Sequence, residues 1–285
     1  MEKAVEERRV WLQGHLETAA GKLGVRAVSR VVNTYDMRSA GTKARDGRTD
    51  VWLRVVFEDP DYQPACRWDG NVEANSIQGV PKPHVLRWTD WKNEGDYKRG
   101  CRLRGEVMTL ARGTTIASDS VLHGDPRLPA SWWVDLDQAL KTLSTHPAPT
   151  KDEIDTLGYT TNGVREHFGI TLHQAALAKI TWTTAHADLH WGNITGPELC
   201  ILDWESWRPA PAGYDAATLY CNSLLNLPTA QRIRELFRPV LDTHSGHIAL
   251  LFTICRYLWI VDEGGEYEAL GAPLRTLGTE VINSL

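Results

Sequence analysis

The sequence predicts an α+β protein of two lobes, a small antiparallel-sheet lobe over residues 1–110 and a larger, mainly helical lobe over 111–285. Three observations predict it. At 285 residues the chain exceeds the usual reach of one hydrophobic core, so two bodies sharing a cleft are expected. From Val25 to residue 110 most apolar residues fall in strand-like runs punctuated by turn residues, and beyond Gly113 they recur every three or four positions. Between the two regimes, Ala111-Arg112-Gly113 has the small residues of a hinge.

Val5, Leu12, Leu16, Ala19 and Leu23 give Glu2–Leu23 a helical period, and Gly24 stands where a helix C-cap belongs. Val28–Val32, a segment near Thr42–Ala44 and Asp50–Phe57 read as three antiparallel strands, the last two joined by the turn Arg45-Asp46-Gly47-Arg48. Between the first two, Asn33–Gly41 reads as a loop with small residues at its tip. After the loop Asp59–Asp69, Gly70–Gln78 makes a short helix carrying Glu73. Val80-Pro81-Lys82-Pro83 ends it, because proline disfavours a helical residue before it. His84–Trp91 and Cys101–Leu110 complete five strands. In the second lobe Trp133, Leu136, Leu140 and Leu143 mark one face of a helix closed by His146-Pro147-Ala148-Pro149. Later helices are expected over Leu172–Ile180, Tyr214–Leu225, Thr229–Leu241 and His247–Val261, interrupted by a hairpin-like pair around Gly196-Pro197.

Composition excludes several function classes. A 42% hydrophobic share with 24% charged residues belongs to a folded domain rather than a disordered chain, and a net charge of -5 lacks the basic footprint of a nucleic-acid binder. No apolar run approaches the roughly 18 residues of a membrane span. The charged start Glu2–Arg9 lacks the apolar core of a signal peptide, so a cytoplasmic protein with no membrane partner is expected. Five scattered cysteines without CxxC spacing read as reduced, packed thiols.

The chemistry is concentrated in His186-Ala187-Asp188-Leu189-His190-Trp191-Gly192-Asn193 and in Asp203, which follows the apolar run Leu199–Leu202. An aspartate can take the proton of an attacking hydroxyl. An amide five residues on and a second carboxylate beyond a short hairpin can hold the Mg2+ that neutralises a transferring phosphate. Tyr214 and Asp215 open the next helix, where Asp215 caps it or ties the loop down. The alternation His186-x-Asp188-x-His190 also permits a zinc set on one side of an extended strand, as in a zinc hydrolase.

A strand-rich first lobe, a hinge near residue 110, a helical second lobe and the H-x-D-x-x-x-x-N then D order together resemble the aminoglycoside phosphotransferase and choline kinase-like family, with its bilobal protein kinase-like fold. The resemblance runs through nearly the whole chain in order and reaches motif strength over residues 186–205. It implies Asp188 as catalytic base, Asn193 and Asp203 as magnesium ligands, and ATP or GTP as phosphate donor. The implied acceptor is a hydroxyl of a small molecule, with an amine-containing antibiotic or metabolite as the expected class, and His186 braces the loop.

One departure concerns the family's phosphate-binding lysine. In Val51-Trp52-Leu53-Arg54-Val55-Val56 the aligned residue is Arg54, with Glu73 as its expected partner and Lys43 as the nearest substitute. Arginine keeps the charge and adds a bidentate fork, while the change also admits a catalytically weak, pseudokinase-like binding protein. Arg38–Thr42 corresponds to the nucleotide-covering loop, where Ser39 and Gly41 bring backbone amides to phosphate. Met108-Thr109-Leu110-Ala111 corresponds to the segment whose backbone, at Thr109 and Ala111, meets the nucleobase.

On the acceptor side, Trp191, Trp204 and Trp207 either wall a flat or cationic acceptor or fill the core. Glu205 reaches a second metal or orders its segment. Asp262, Glu263, Glu266 and Glu268 form an acidic group that docks an amine, by the same resemblance, or is a solvated face.

Overall fold

The computed structural model describes residues 2–34, 37–58, 67–148, 155–173, 177, 179–264 and 267–285. The chain divides into two compact units, one of Met1–Ser76 with Lys82–Ala111 and one of Ile77–Pro81 with Arg112–Leu285.

The first unit is a helix on a sheet. Helix α1 (Glu2–Leu23) ends at Gly24, whose φ of +66° suits a residue without a side chain. The strands are β1 (Arg26–Ala27), β2 (Val32–Asn33), β3 (Ser39–Asp46), β4 (Thr49–Phe57), β5 (Val85–Lys92) and β6 (Arg102–Thr109). They pair antiparallel in the order β1-β3-β4-β6-β5, with β2 also on β3. Val51, Leu53, Val55 and Phe57 alternate along β4 into one core with Leu12, Leu16, Ala19, Leu23, Leu103 and Val107. The period of two turns Trp52, Arg54 and Val56 to the other face, and the cross-strand pairs Gly41↔Arg54 and Arg54↔Glu106 bring Gly41 and Glu106 there as well. Between β4 and β5 lies α2 (Gly70–Glu73), which carries Asn71 and Glu73.

Two expectations for this unit change. The strand expected over Val28–Val32 is two short pieces. Ser29 and Arg30 leave the sheet between them, where the Thr42 hydroxyl donates to the Ser29 carbonyl at 2.9 Å and the Lys43 amide donates to the Ser29 hydroxyl at 3.1 Å. Strand β3 begins at Ser39, so Ser39, Ala40 and Gly41 are strand residues and do not form the tip of a nucleotide-covering loop. The smallness of Gly41 serves packing, because a Cβ there would lie 2.4 Å from the Trp52 indole.

The second unit is mainly helical, with β7 (Thr114–Thr115) paired to β9 (Thr195–Gly196), and β8 (Trp182–Ala185) to β10 (Arg208–Pro211). Its helices are α3 (Ala130–Ser144), α4 (Thr156–Phe168), α5 (Tyr214–Cys221), α6 (Leu227–Leu236), α7 (Arg238–Leu241), α8 (His244–Asp262) and α9 (Gly271–Asn283). Trp133, Leu136 and Leu143 are buried along α3, as their spacing predicts. Helix α8 is buried continuously from Ile248 to Cys255, the pattern of a central helix, and packs against α4, α5 and α9.

Helices α4 and α9 lie where the apolar period predicted none. Two glycines and three threonines make α4 a poor helix by propensity. Its place comes from contact: Asp155 caps it by accepting from the Gly158 amide at 2.9 Å, and Gly163 meets α8 where a Cβ would stand 2.5 Å from that of Cys255. The single helix expected over Thr229–Leu241 is two, because Pro239 cannot continue the amide ladder and a new helix starts after Phe237. The helix expected over Tyr214–Leu225 stops at Cys221. The one expected over Leu172–Ile180 falls partly outside the described residues, and Cys66, Pro149 and Glu266 lie outside them.

Candidate active site

Strand β8 delivers the chain to His186 and is held antiparallel to β10, with Ala185 opposite Arg208. The backbone then turns through Ala187 at φ +65°, a left-handed conformation that costs a side-chain-bearing residue of order 1–3 kcal/mol and persists only where surroundings enforce it. Asp215, in the first turn of α5, does the enforcing. Its two oxygens accept from the amides of His186 at 2.8 Å and Ala187 at 2.9 Å. Burial pushes the Asp215 carboxyl up, against the pull of the His186 ring and of those two amides.

His186 is fully buried and braces the far side of the loop. Its Nε2 pairs with the Leu202 carbonyl at 2.8 Å, and the Asp188 amide donates to its Nδ1 at 3.3 Å, partners that assign the proton to Nε2. Trp204 packs edge-on against the ring at 4.8 Å between centroids. One turn later, in the 3-10 segment Trp191–Asn193, Asn193 spends its amide nitrogen on Asp188, donating to the backbone carbonyl at 3.0 Å and to carboxylate Oδ2 at 3.3 Å. The Leu202 amide donates to the Asn193 carbonyl at 2.8 Å, which holds Asp203 next in line, itself at a left-handed φ of +57°. An amide oxygen and a carboxylate form the hard, all-oxygen donor set that magnesium takes, with water and phosphate completing the shell, so these residues fit that ion.

Two opposing effects act on the Asp188 carboxyl. Burial pushes it up, but the electrostatic pull of the His190 ring, of Arg256, of the His186 ring and of Arg208 outweighs burial and holds it below the usual carboxylate range. His190 Nε2 lies 3.7 Å from Asp188 Oδ2 while its Nδ1 accepts from the Gly192 amide at 3.1 Å. On the other side Arg256, from α8, places Nη2 3.8 Å from Asp188 Oδ1 and donates from Nη1 to the Tyr214 hydroxyl at 3.3 Å. A carboxylate kept ionised, oriented by an amide and flanked by a carboxylate fit for magnesium can accept a proton from a hydroxyl nucleophile.

Comparison with solved structures identifies the fold. The chain is similar to aminoglycoside phosphotransferase APH(4)-Ia, with a TM-score of 0.61 and 12% identity over 94% of this chain and 99% of that one. This chain has the aminoglycoside phosphotransferase fold. The same fold appears in amicoumacin kinase hAmiN, at TM-score 0.59 and 13% identity over 97% and 95% of the two chains. A choline/ethanolamine kinase family protein from Mesorhizobium loti follows at 0.54 and 14%, over 90% and 89%. No family model and no curated protein matches the sequence.

Within this phosphotransferase fold, the residues expected at the nucleotide are distributed unevenly. Arg54 Nη1 lies 3.3 Å from Glu106 Oε2, a pair only 10% and 1% exposed, and Asn71 donates to the same oxygen at 3.2 Å. Arg54 therefore meets Glu106, its cross-strand neighbour, and Glu73 is bound by Arg67. Lys43 is exposed on β3. Ser39 and Gly41 flank this pair from β3, Thr109 accepts from the His84 amide at 2.9 Å, and Ala111 is the last residue of the first unit.

On the acceptor side the tryptophans pack the core. Trp191 is fully buried, donates to the Ser223 hydroxyl at 2.8 Å and stacks on Trp132 at 6.2 Å, and Trp204 and Trp207 are buried as well, so none of the three walls an acceptor. Glu205 is buried. Asp262 is engaged by Arg275 at 2.6 Å and by His167 at 3.3 Å, Glu263 is exposed at the end of α8, and Glu266 lies outside the described residues. The zinc set also fails: the turn at Ala187 breaks the extended alternation, His186 Nε2 is committed to Leu202, and among the described residues no three His, Cys, Asp or Glu side chains gather for a metal. Arg256 was missed. Its signal in the sequence is that it is the only charged side chain in the apolar stretch Ile248–Val261.

Proposed function

We propose that the protein is a small-molecule phosphotransferase that moves the γ-phosphate of ATP, or of GTP, to a hydroxyl of its acceptor. The observation that carries this reading is the Asn193 amide bound to the Asp188 carboxylate, with Asp203 tied beside it through the Leu202–Asn193 hydrogen bond. Asp188 orients the acceptor hydroxyl and takes its proton as the new O–P bond forms and the bond from the γ-phosphorus to the bridging oxygen breaks, releasing the nucleoside diphosphate. Magnesium held at Asn193 and Asp203 supplies charge neutralisation on the transferring phosphate. Arg54, braced by Glu106, is assigned to the nucleotide phosphates in the lysine's stead, with Ser39, Gly41, Thr109 and Ala111 as its companions at the nucleotide. Solved relatives of the same fold support the reading, including a form of APH(4)-Ia in complex with ADP and hygromycin B.

The test is calorimetric binding of a non-hydrolysable ATP analogue, with and without Mg2+, to the wild type and to Asp203→Ala. Binding that requires both Mg2+ and Asp203 is expected. Binding indifferent to both would favour the second reading, a pseudokinase-like binding protein, for which the specific observation is arginine at position 54 together with the loss of a flexible Ser39–Gly41 loop to strand β3.

A further inference from the structure

Arg256 stands where the acceptor's charge is decided. Its contact with Asp188, at 3.8 Å, is too long for a hydrogen bond, so among the described residues one of its five N–H donors is used, by Tyr214. The side chain is 36% exposed, yet its base is fixed, since Cys255 and Tyr257 on either side are buried in the core and Tyr214 is 1% exposed. A planar fork with open donors on a rigid support is preorganised for one carboxylate. The same position works against a cation. An acceptor hydroxyl has to come within hydrogen-bond reach of Asp188. An ammonium group on a small acceptor would then face a guanidinium that already borders the same carboxylate. The acids of α8 and α4 are engaged elsewhere, Asp262 by Arg275 and His167, and Glu166 by the Trp259 indole nitrogen at 3.0 Å.

Resting on the phosphotransferase reading, we propose that the acceptor is a carboxylate-bearing hydroxyl compound, its carboxylate gripped by Arg256 while its hydroxyl faces Asp188. In that complex the hydroxyl proton passes to Asp188, the hydroxyl oxygen bonds to the γ-phosphorus as its bond to the bridging oxygen breaks and the nucleoside diphosphate leaves, and the carboxylate takes no part in bond exchange. The amine expected of the acceptor gives way to an anion.

Three probes on one frame test the proposal without nucleotide: meta-hydroxybenzoate, meta-hydroxybenzyl alcohol and meta-hydroxybenzylamine, each titrated by calorimetry into the wild type, Arg256→Gln and Arg256→Lys. The wild type is expected to bind the benzoate at least about tenfold more tightly than the amine, the increment of one charge-assisted hydrogen-bonded contact. Arg256→Gln should erase that preference and Arg256→Lys should retain part of it. Equal or tighter binding of the amine, a benzoate preference that survives Arg256→Gln, or no benzoate binding at all would overturn the proposal. Binding of the ATP analogue, measured on the same samples, separates the two ideas. Intact Mg2+-dependent nucleotide binding without benzoate preference refutes the anionic acceptor alone, whereas benzoate preference without nucleotide binding refutes the phosphotransferase reading.

Discussion

Asp188 is held ionised by charge against burial, which pushes its carboxyl up. Because its carboxyl sits below the usual carboxylate range, the base form survives as pH falls, and kcat is expected to stay flat from neutrality down into that range and to drop only below it. Removing the Arg256 charge weakens the hold, so the acid limb of a kcat–pH profile of Arg256→Gln should move upward, toward neutrality. Asp188→Asn removes the base itself and should lower kcat by roughly 10²–10⁴ while leaving nucleotide affinity in place, a split read from steady-state kinetics and calorimetry together. At the other end of the nucleotide assignment, Arg54→Lys is expected to keep activity and Arg54→Ala to lose most of it. Glu106→Ala should also unfold the protein more easily, since it removes the buried carboxylate that meets both Arg54 and Asn71, a change to be measured in urea.

At the scale of elements, a glycine's effect depends on what surrounds it. Gly14 lies exposed within α1 with nothing near a Cβ, so Gly14→Ala should stabilise by about 0.5–1 kcal/mol through backbone entropy. Gly163→Ala drives a methyl into Cys255 across the α4–α8 contact and should destabilise by about 1–3 kcal/mol, with the opposite shift of the thermal midpoint. The contrast explains what could be read from the chain. Helix α1, the hairpin of β3 and β4 and helix α3 were legible because each buries one periodic face, which leaves its mark in sequence. Helix α4 was not, because glycine and threonine count against a helix locally while Gly163 makes the tertiary contact possible. Gly41 misled for the same reason, since the small residue that reads as a loop tip is small to admit Trp52. Of the site, the motif from His186 to Asp203 was legible because its residues lie close in sequence. Glu106 and Arg256 were not, as a strand register brings one to Arg54 and a helix from far along the chain brings the other to Asp188.

For the whole molecule, ligand linkage gives a global readout of the site. A nucleotide–magnesium complex that binds only the folded chain at about a hundred times its Kd should add about 2.7 kcal/mol to stability, and Asp203→Ala should abolish that increment in thermal unfolding. Among the described residues the four cysteines are free and buried, and no helix is long and apolar enough to cross a membrane. Burial pushes the Cys255 thiol up to about 12 and the Cys221 thiol higher still, so neither offers a thiolate to alkylating reagents while the protein is folded. The continuous burial of α8 has an evolutionary consequence. The helix that presents Arg256 cannot slide or rotate to suit a new acceptor, because its other residues hold the second unit together. Divergence toward a differently charged acceptor is therefore channelled into replacement of that one side chain, and in any set of descendants position 256 is where a change of diet should first be written.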